Sequence, residues 1–429
     1  MNMKRFTKLF ILAAIALLTI LPACTSDDSI HGGDDVVYML PKKTNITLTE
    51  QQRQMCDNNN EFACNLFRTI NGQKQGDGST IVSPISVSFL LGMLNAGADG
   101  ETRQQITDVL GLGGSVQEIN EYCKKMIEEA PYVDPSVTVK IANCIDVNSA
   151  LGITLIPQYK ADMQNYYQAQ IDALDFTKDS SLDIINNWCD THTDGMIPNI
   201  LSKDEFNPVA SLYLLNAIYF KATWTEKFDP KDSRDKDFTK ADGHTAKRTF
   251  MHRKALAKYG QNDLCSMLCL PYGSHGYSMY VMLPNENKTL EDVINGMSAQ
   301  ALTDHLNSMY SFEVDILMPR FTTSSETRLE NVLSAMGMPL AFDSNFAEFP
   351  NMAPGQNLYV AMMKQKAKIE VNEEGTKAAA VTIAEMGKSM ANEPTQLEKA
   401  DFHAMRPFVY FIMEESTRSI FFIGTYCGE

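Results

Sequence analysis

The tightest constraint on this chain lies near its end, in Gly375-Thr376-Lys377-Ala378-Ala379-Ala380-Val381-Thr382-Ile383-Ala384. Alternate residues Thr376, Ala378, Ala380, Thr382 and Ala384 are all small, whereas Lys377, Val381, Ile383 and Glu385 share the opposite face. A strand directs successive side chains to opposite faces of its sheet. Such a segment can therefore slide between two strands with only methyl- and hydroxyl-sized groups against the packed side. Added bulk there would cost about 1–3 kcal/mol per misfit, because interiors are close-packed. Gly375 supplies an unrestricted backbone joint just before it. Alternation alone also fits an edge strand with an Ala-rich turn.

After Ala384 the pattern gives way to Glu385-Met386-Gly387-Lys388-Ser389-Met390-Ala391-Asn392-Glu393-Pro394, polar and punctuated by Gly and Pro, which predicts an exposed loop. The apolar run Phe402 to Ile412 then predicts a strand entering a core. An insertable strand, an exposed loop and a buried strand thus follow one another. The motif Val371 to Ala380, containing Glu373, Glu374, Gly375, Thr376, Ala378, Ala379 and Ala380, together with Arg406-Pro407-Phe408, resembles the reactive-centre hinge of the serpins.

Other segments agree in order. Phe62, Leu66, Phe67 and Ile70 recur at helical spacing from Thr49 onward. Ser83 and Ser86 flank Pro84 ahead of an apolar helix, where capping is the simplest use of their hydroxyls. The resemblance instead places both serines in a polar cluster beneath the main sheet, with Asn216 from the strand Leu214–Lys221. The family's usual histidine in that cluster corresponds here to Gln365, an amide that donates and accepts but carries no pH dependence. Leu182–Trp188 and Thr193–Ile197 are similar to the helix and turn over that sheet, and Trp224 to the tryptophan at its top. Phe312–Phe321 alternates as a strand and precedes a helix with Leu329, Leu333 and Met336. By the match, Arg320 pairs with Glu373 at the mouth where insertion begins.

The resemblance implies an α+β serpin fold: one large domain, three β-sheets, eight or nine helices and an exposed reactive-centre loop near the C-terminus. The 44% hydrophobic content suits a sizeable core, and no Pro/Ser-rich linker or repeat divides the chain. A net charge of −16 argues against a nucleic-acid partner. The cysteines from Cys56 onward show neither metal-ligand spacing nor a small-domain disulfide framework. They read as small buried apolar residues, with one or two bridges left open.

The N-terminus carries a separate signal. Lys4, Arg5 and Lys8 precede an apolar run from Leu9 to Leu21, too short for a comfortable membrane span, and Leu21-Pro22-Ala23-Cys24 resembles a bacterial lipobox. Residues 1–23 are thus expected to be a lipoprotein signal peptide, 24–45 a lipidated Cys24 and flexible tether, and 46–429 the serpin domain. Acidic residues soon after Cys24 resemble the surface-export signal of Bacteroides-type lipoproteins. The expected location is the outer membrane, exposed at the cell surface, with a periplasm-facing anchor as the alternative.

No nucleophile elbow, zinc-protease motif, P-loop or paired-cysteine motif is present, so no enzyme activity is expected. No cofactor or metal is expected either, and the protein is expected to be a monomer. The resemblance implies a suicide inhibitor of serine, and also cysteine, proteases. The target would form an acyl complex on the loop and be trapped as the hinge, through Thr382, inserts into the main sheet. The family's usual count places the scissile bond at Ser389-Met390; Lys388-Ser389, Met386-Gly387 and Met390-Ala391 are alternatives. A serpin-fold surface binding protein without inhibitory activity is the competing reading.

Overall fold

The computed structural model describes residues 42–356, 358–376 and 397–429. The signal segment with Cys24, and Ala378, Ala379, Ala380, Thr382, Met386, Lys388, Ser389 and Met390, lie outside the described residues.

Helix α1 (Glu50–Gln73) opens with a capping box between Thr49 and Gln52, and buries Phe62, Leu66, Phe67 and Ile70. Strand β1 (Thr80–Val82) leads into α2 (Pro84–Gly97), which is buried almost all round. Helices α3 (Gly100–Leu110) and α4 (Val116–Glu129) follow, then β2 (Val137–Asn148), α5 (Pro157–Tyr167) and β3 (Gln170–Leu174). Next come α6 (Asp179–His192), β4 (Leu212–Thr223), β5 (Arg234–Thr239) and β6 (Thr245–Gln261). Strands β7 (Cys265–Tyr272) and β8 (Tyr277–Pro284) precede helices α7 (Leu290–Gly296) and α8 (Ala299–Asn307). The remainder is β9 (Tyr310–Pro319), β10 (Phe321–Arg328), α9 (Leu329–Met336), β11 (Lys364–Asn372), β12 (Gly375–Thr376), β13 (Lys399–His403), β14 (Phe408–Glu414) and β15 (Ser419–Tyr426).

One sheet runs β10-β11-β12-β4-β2-β3. The other ladder runs β1-β15-β14-β8-β7-β6-β9-β13, with β5 beside β6. Among the described residues, its two parts pair only through Tyr259↔Leu268, Gly260↔Met267 and Gln261↔Ser266. The long strand β6 thereby links what would otherwise be two sheets, so the expected three-sheet architecture is present as three strand groups.

Strand β4 divides the core. Leu214, Ile218, Phe220 and Ala222 face the large core, whereas Tyr213, Leu215 and Ala217 join a second cluster around Trp188 of α6. This period-two split follows directly from strand geometry. Near-complete burial of β4 on both faces suits a central strand.

Two expectations change. The run Phe402–Ile412 is not one strand: β13 stops at His403 and β14 starts at Phe408. Arg406-Pro407 lies in the break, where proline has no N–H to give a ladder. Likewise Phe312–Phe321 divides at Arg320 into β9 and β10, which enter different sheets. The eight cysteines among the described residues are all free and buried, so none forms a bridge there. Burial pushes the Cys123 and Cys265 thiols up to about 12, which keeps them protonated and unreactive.

Candidate functional site: the space between β4 and β11

Strand β12 is two residues long and lies between β11 and β4. It pairs antiparallel on both sides: Val371↔Thr376 and Asn372↔Gly375 with β11, Gly375↔Thr223 and Thr376↔Ala222 with β4. Gly375 has φ +145°, and a Cβ there would sit 2.1 Å from the Ala222 carbonyl oxygen. Only glycine fits this seat, because the obstacle is backbone and cannot move aside. Thr376 is buried, its Oγ1 2.6 Å from the Tyr272 hydroxyl.

The turn before β12 is fixed from several directions. Glu373 is buried and accepts hydrogen bonds from Arg320 Nε at 2.7 Å and from the Ser233 hydroxyl. Burial pushes its carboxyl up, but these two donors outweigh burial and hold it below the usual carboxylate range. The carbonyls of Glu373 and Glu374 accept from the Phe228 and Trp224 backbone N–H groups at 3.1 and 2.9 Å. Lys227 meets the Glu374 carboxylate at 2.5 Å. Trp224 donates from its indole to Asn372 O at 2.9 Å and stacks on Tyr272, with centroids 4.4 Å apart and planes 10° apart. Trp224, Arg320, Glu373, Glu374, Gly375 and Thr376 therefore form one constellation.

At the other end Leu214 and Met363 make a parallel bridge, where β4 meets the residue preceding β11. Among the described residues, no ladder joins β4 to β11 between this bridge and β12.

The polar cluster sits beside that bridge, in two halves. In one, the Gln365 side chain clasps the Ser83 backbone: Oε1 accepts from Ser83 N at 2.7 Å and Nε2 donates to Ser83 O at 3.0 Å. The Ser83 hydroxyl donates to Phe421 O at 2.7 Å and lies 3.0 Å from Ser86 Oγ. The capping reading of Ser83 fails for that reason: its hydroxyl is committed to Phe421, and α2 has no side-chain cap. In the other half, Asn216 Nδ2 donates across the sheet to Asn143 Oδ1 at 2.8 Å, and Asn143 Nδ2 donates to Tyr167 O at 2.7 Å. Asn216 Oδ1 is buried and has no partner among the described residues. No hydrogen bond among those residues joins Asn216 to Ser83, Ser86 or Gln365, so the cluster is not continuous.

Sequence reasoning missed Asn143, which faces Asn216 through the β2–β4 register. Strand β2 also carries Thr138, Lys140, Asp146 and Asn148, so nothing in its sequence singled Asn143 out. It also missed Lys364, which is buried and bound to Glu205 at 2.9 Å and to Glu326. Burial pushes the Glu205 carboxyl up, but Lys364 and Ser202 overcome it and lower the carboxyl to about 2.

Residues 57–428 match the family model described as serpin (serine protease inhibitor). The chain belongs to the serpins. The leukocyte elastase inhibitor of Xenopus tropicalis is 31% identical over 380 residues, covering 85% of this chain and 97% of that protein. The thermophilic serpin tengpin in its native state superposes with a TM-score of 0.78 at 26% identity, over 90% of this serpin and 96% of tengpin. Thyroxine-binding globulin in complex with thyroxine superposes equally well, at TM-score 0.78 and 26% identity, over 87% and 99% of the two chains. The family is one of protease inhibitors rather than proteases, and its fold also serves ligand binding.

Proposed function

We propose that this serpin is an irreversible suicide-substrate inhibitor of serine proteases, and of cysteine proteases that tolerate the same loop. The seating of β12 between β11 and β4 carries this reading. A strand already started in that position has only to lengthen. Extending the same register would set Ala378 beside Phe220 and Ile369, and Ala380 beside Ile218 and Ala367. It would set Thr382 beside Asn216 and Gln365. The small side chains would then face the large core, and the Thr382 hydroxyl would reach the unpartnered Asn216 Oδ1. Each ladder bond contributes about 0.5–1.5 kcal/mol net, and a strand filling this space gains them on both edges.

Before cleavage, the loop tethers this strand at both ends. The target's nucleophilic oxygen or sulfur attacks the carbonyl carbon of Ser389, the peptide bond to Met390 breaks, and the amine of Met390 leaves. The ester or thioester on Ser389 holds the enzyme while the released hinge inserts. Lys388-Ser389, Met386-Gly387 and Met390-Ala391 are the alternative bonds. The stability of the uncleaved form is kinetic, and cleavage releases the stored difference. The lipobox resemblance supports a lipid on Cys24, a tether to residue 45 and attachment to the outer membrane facing outward, with an inward-facing anchor as the alternative.

Mixing the protein with trypsin-, elastase- and subtilisin-like proteases tests the mechanism. A protease complex that survives denaturing electrophoresis is expected, and the first residue of the released C-terminal peptide identifies the bond. Cleavage with neither a complex nor a gain in thermal stability would favour the binding-protein reading, to which the likeness to thyroxine-binding globulin lends support.

A further inference from the structure

The two ends of the loop are held differently, and the downstream end carries a set of side chains that the inhibitory reading leaves unused. Strand β13 is a five-residue edge strand, paired parallel to β9 alone. On β9, Asp315 pairs in register with Asp401 of β13 on one side and Lys254 of β6 on the other. One step along, His252 of β6 and His403 of β13 flank Leu317 in the same way. Three strands, far apart in sequence, thus deliver two imidazoles and two carboxylates to one patch of surface.

The distances suit a bound cation better than a closed ion-pair network. Ligand atoms of Asp315, Asp401 and His403 all lie within 4.8 Å of one another. His403 Nε2 is 3.7 Å from Asp315 Oδ1, too far for a good hydrogen bond. It is close to the spacing of about 3.3 Å between ligands around a tetrahedral ion with bonds of about 2.0–2.1 Å. His252 Nε2 lies 2.8 Å from the same Asp315 oxygen, placed to orient that carboxylate as an outer partner or to turn in as a fourth ligand. Lys254 Nζ, 3.4 Å from Asp315 Oδ2, is the competing cation, but its side chain is largely exposed and free to swing away.

We propose that Asp315, Asp401 and His403, with His252 in support, bind a divalent transition-metal ion of the zinc type. Mixed imidazole and carboxylate donors favour such an ion over magnesium or calcium, which take oxygen ligands. Bound there, the ion cross-links β13 to β9. This consequence rests on the insertion proposed above. Strands β12 and β13 terminate one continuous segment, so lengthening β12 without cleavage shortens the connector and pulls on β13. A metal clamp on β13 resists that unproductive route and leaves the cleaved route untouched, because cleavage severs the connection.

The test uses the full chain, purified in detergent and freed of metal by chelation. Titration with zinc, and with cobalt as a spectroscopic probe, is expected to give one saturable site with a tetrahedral cobalt spectrum. His403→Ala and Asp401→Asn are each expected to lower affinity at least about tenfold, and Lys399→Ala on the same strand to leave it unchanged. Zinc should also slow hydrogen exchange at the amides of residues 399–403 in the wild type and not in His403→Ala. Absence of saturable binding overturns the site, as does affinity indifferent to both ligand variants. Thiolate-to-cobalt charge-transfer absorption would place the metal on cysteines and overturn it as well. Binding without slowed exchange overturns the clamp, and the protease-complex experiment separates that failure from failure of the inhibitory reading.

Discussion

The two ends of the space between β4 and β11 are built to opposite rules. At the mouth, donors and acceptors are matched: Glu373 has Arg320 and Ser233, Glu374 has Lys227 and Trp224, and Gly375 fits a seat that excludes a side chain. At the base, one bridge joins Leu214 to Met363, Asn216 retains an unpartnered acceptor, and two strands away β2 carries a buried carboxylate, Asp146. A buried acceptor without a partner costs about 1–3 kcal/mol. The mouth therefore fixes where a strand begins, while at the base the unpartnered Asn216 acceptor is the term that the proposed longer strand would relieve.

The largest test of this contrast blocks travel between the two ends. Ala380→Arg would put a long charged side chain on the inward face, beside Ile218 and Ala367 in the extended register. The variant is expected to be cleaved at the wild-type rate without forming a stable protease complex. Persistent trapping would refute the insertion register.

Gly375→Ala attacks the mouth itself. Its methyl group would overlap the Ala222 carbonyl, so β12 must leave or the strands must shift, at a cost of about 2–4 kcal/mol. A fall in the urea midpoint and slower complex formation are expected. An unchanged midpoint would show that β12 is not firmly seated.

At the base, Asp146→Asn probes the buried carboxylate. Burial first, and then the neighbouring Asp172 charge, push Asp146 up to about 7, against a small opposing hydrogen bond from Cys144. The folded state then holds its proton more tightly than the unfolded state, whose carboxyl titrates near 3.8. Asp146 therefore costs nothing below that value, and stability falls as pH rises from about 4 to 7. The amide is expected to stabilise the protein by about 2–4 kcal/mol at pH 8 and to lose this advantage at pH 4. Denaturant melts at the two pH values check this. An advantage equal at both would assign it to packing.

The smallest effect separates the two states. Thr382→Val keeps shape and removes the hydroxyl that would meet Asn216 Oδ1. The uncleaved form is expected to melt unchanged, and the cleaved form to lose about 1 kcal/mol. Equal losses in both forms would place Thr382 in the uncleaved core.

Much of this was legible beforehand because local rules carried it. The period-two small face, the helical spacing through Phe62 and Ile70, and a glycine ahead of an alternating segment follow from backbone geometry alone. Other features depended on neighbours. A serine before Pro84 reads as a helix cap, and only the nearby Phe421 carbonyl shows that its hydroxyl is spent elsewhere. Gln365 showed an amide in place of a histidine, but its clasp on the Ser83 backbone needed two elements 282 residues apart to meet. Asn143 was invisible because its partner is set by the β2–β4 register. The apolar run after Phe402 looked like one strand until Arg406-Pro407 sent its halves to different neighbours.

The sequence by itself determined which residues can occupy the middle of a sheet: side-chain size, alternation and glycine freedom are properties of the chain and need no partner. The tertiary structure alone decided where Gly375 and Thr376 sit between β11 and β4, which buried polar atoms among the described residues lack partners, and which charges gather on β9 and β13. Those depend on register and burial, and both exist only once distant segments share one interior.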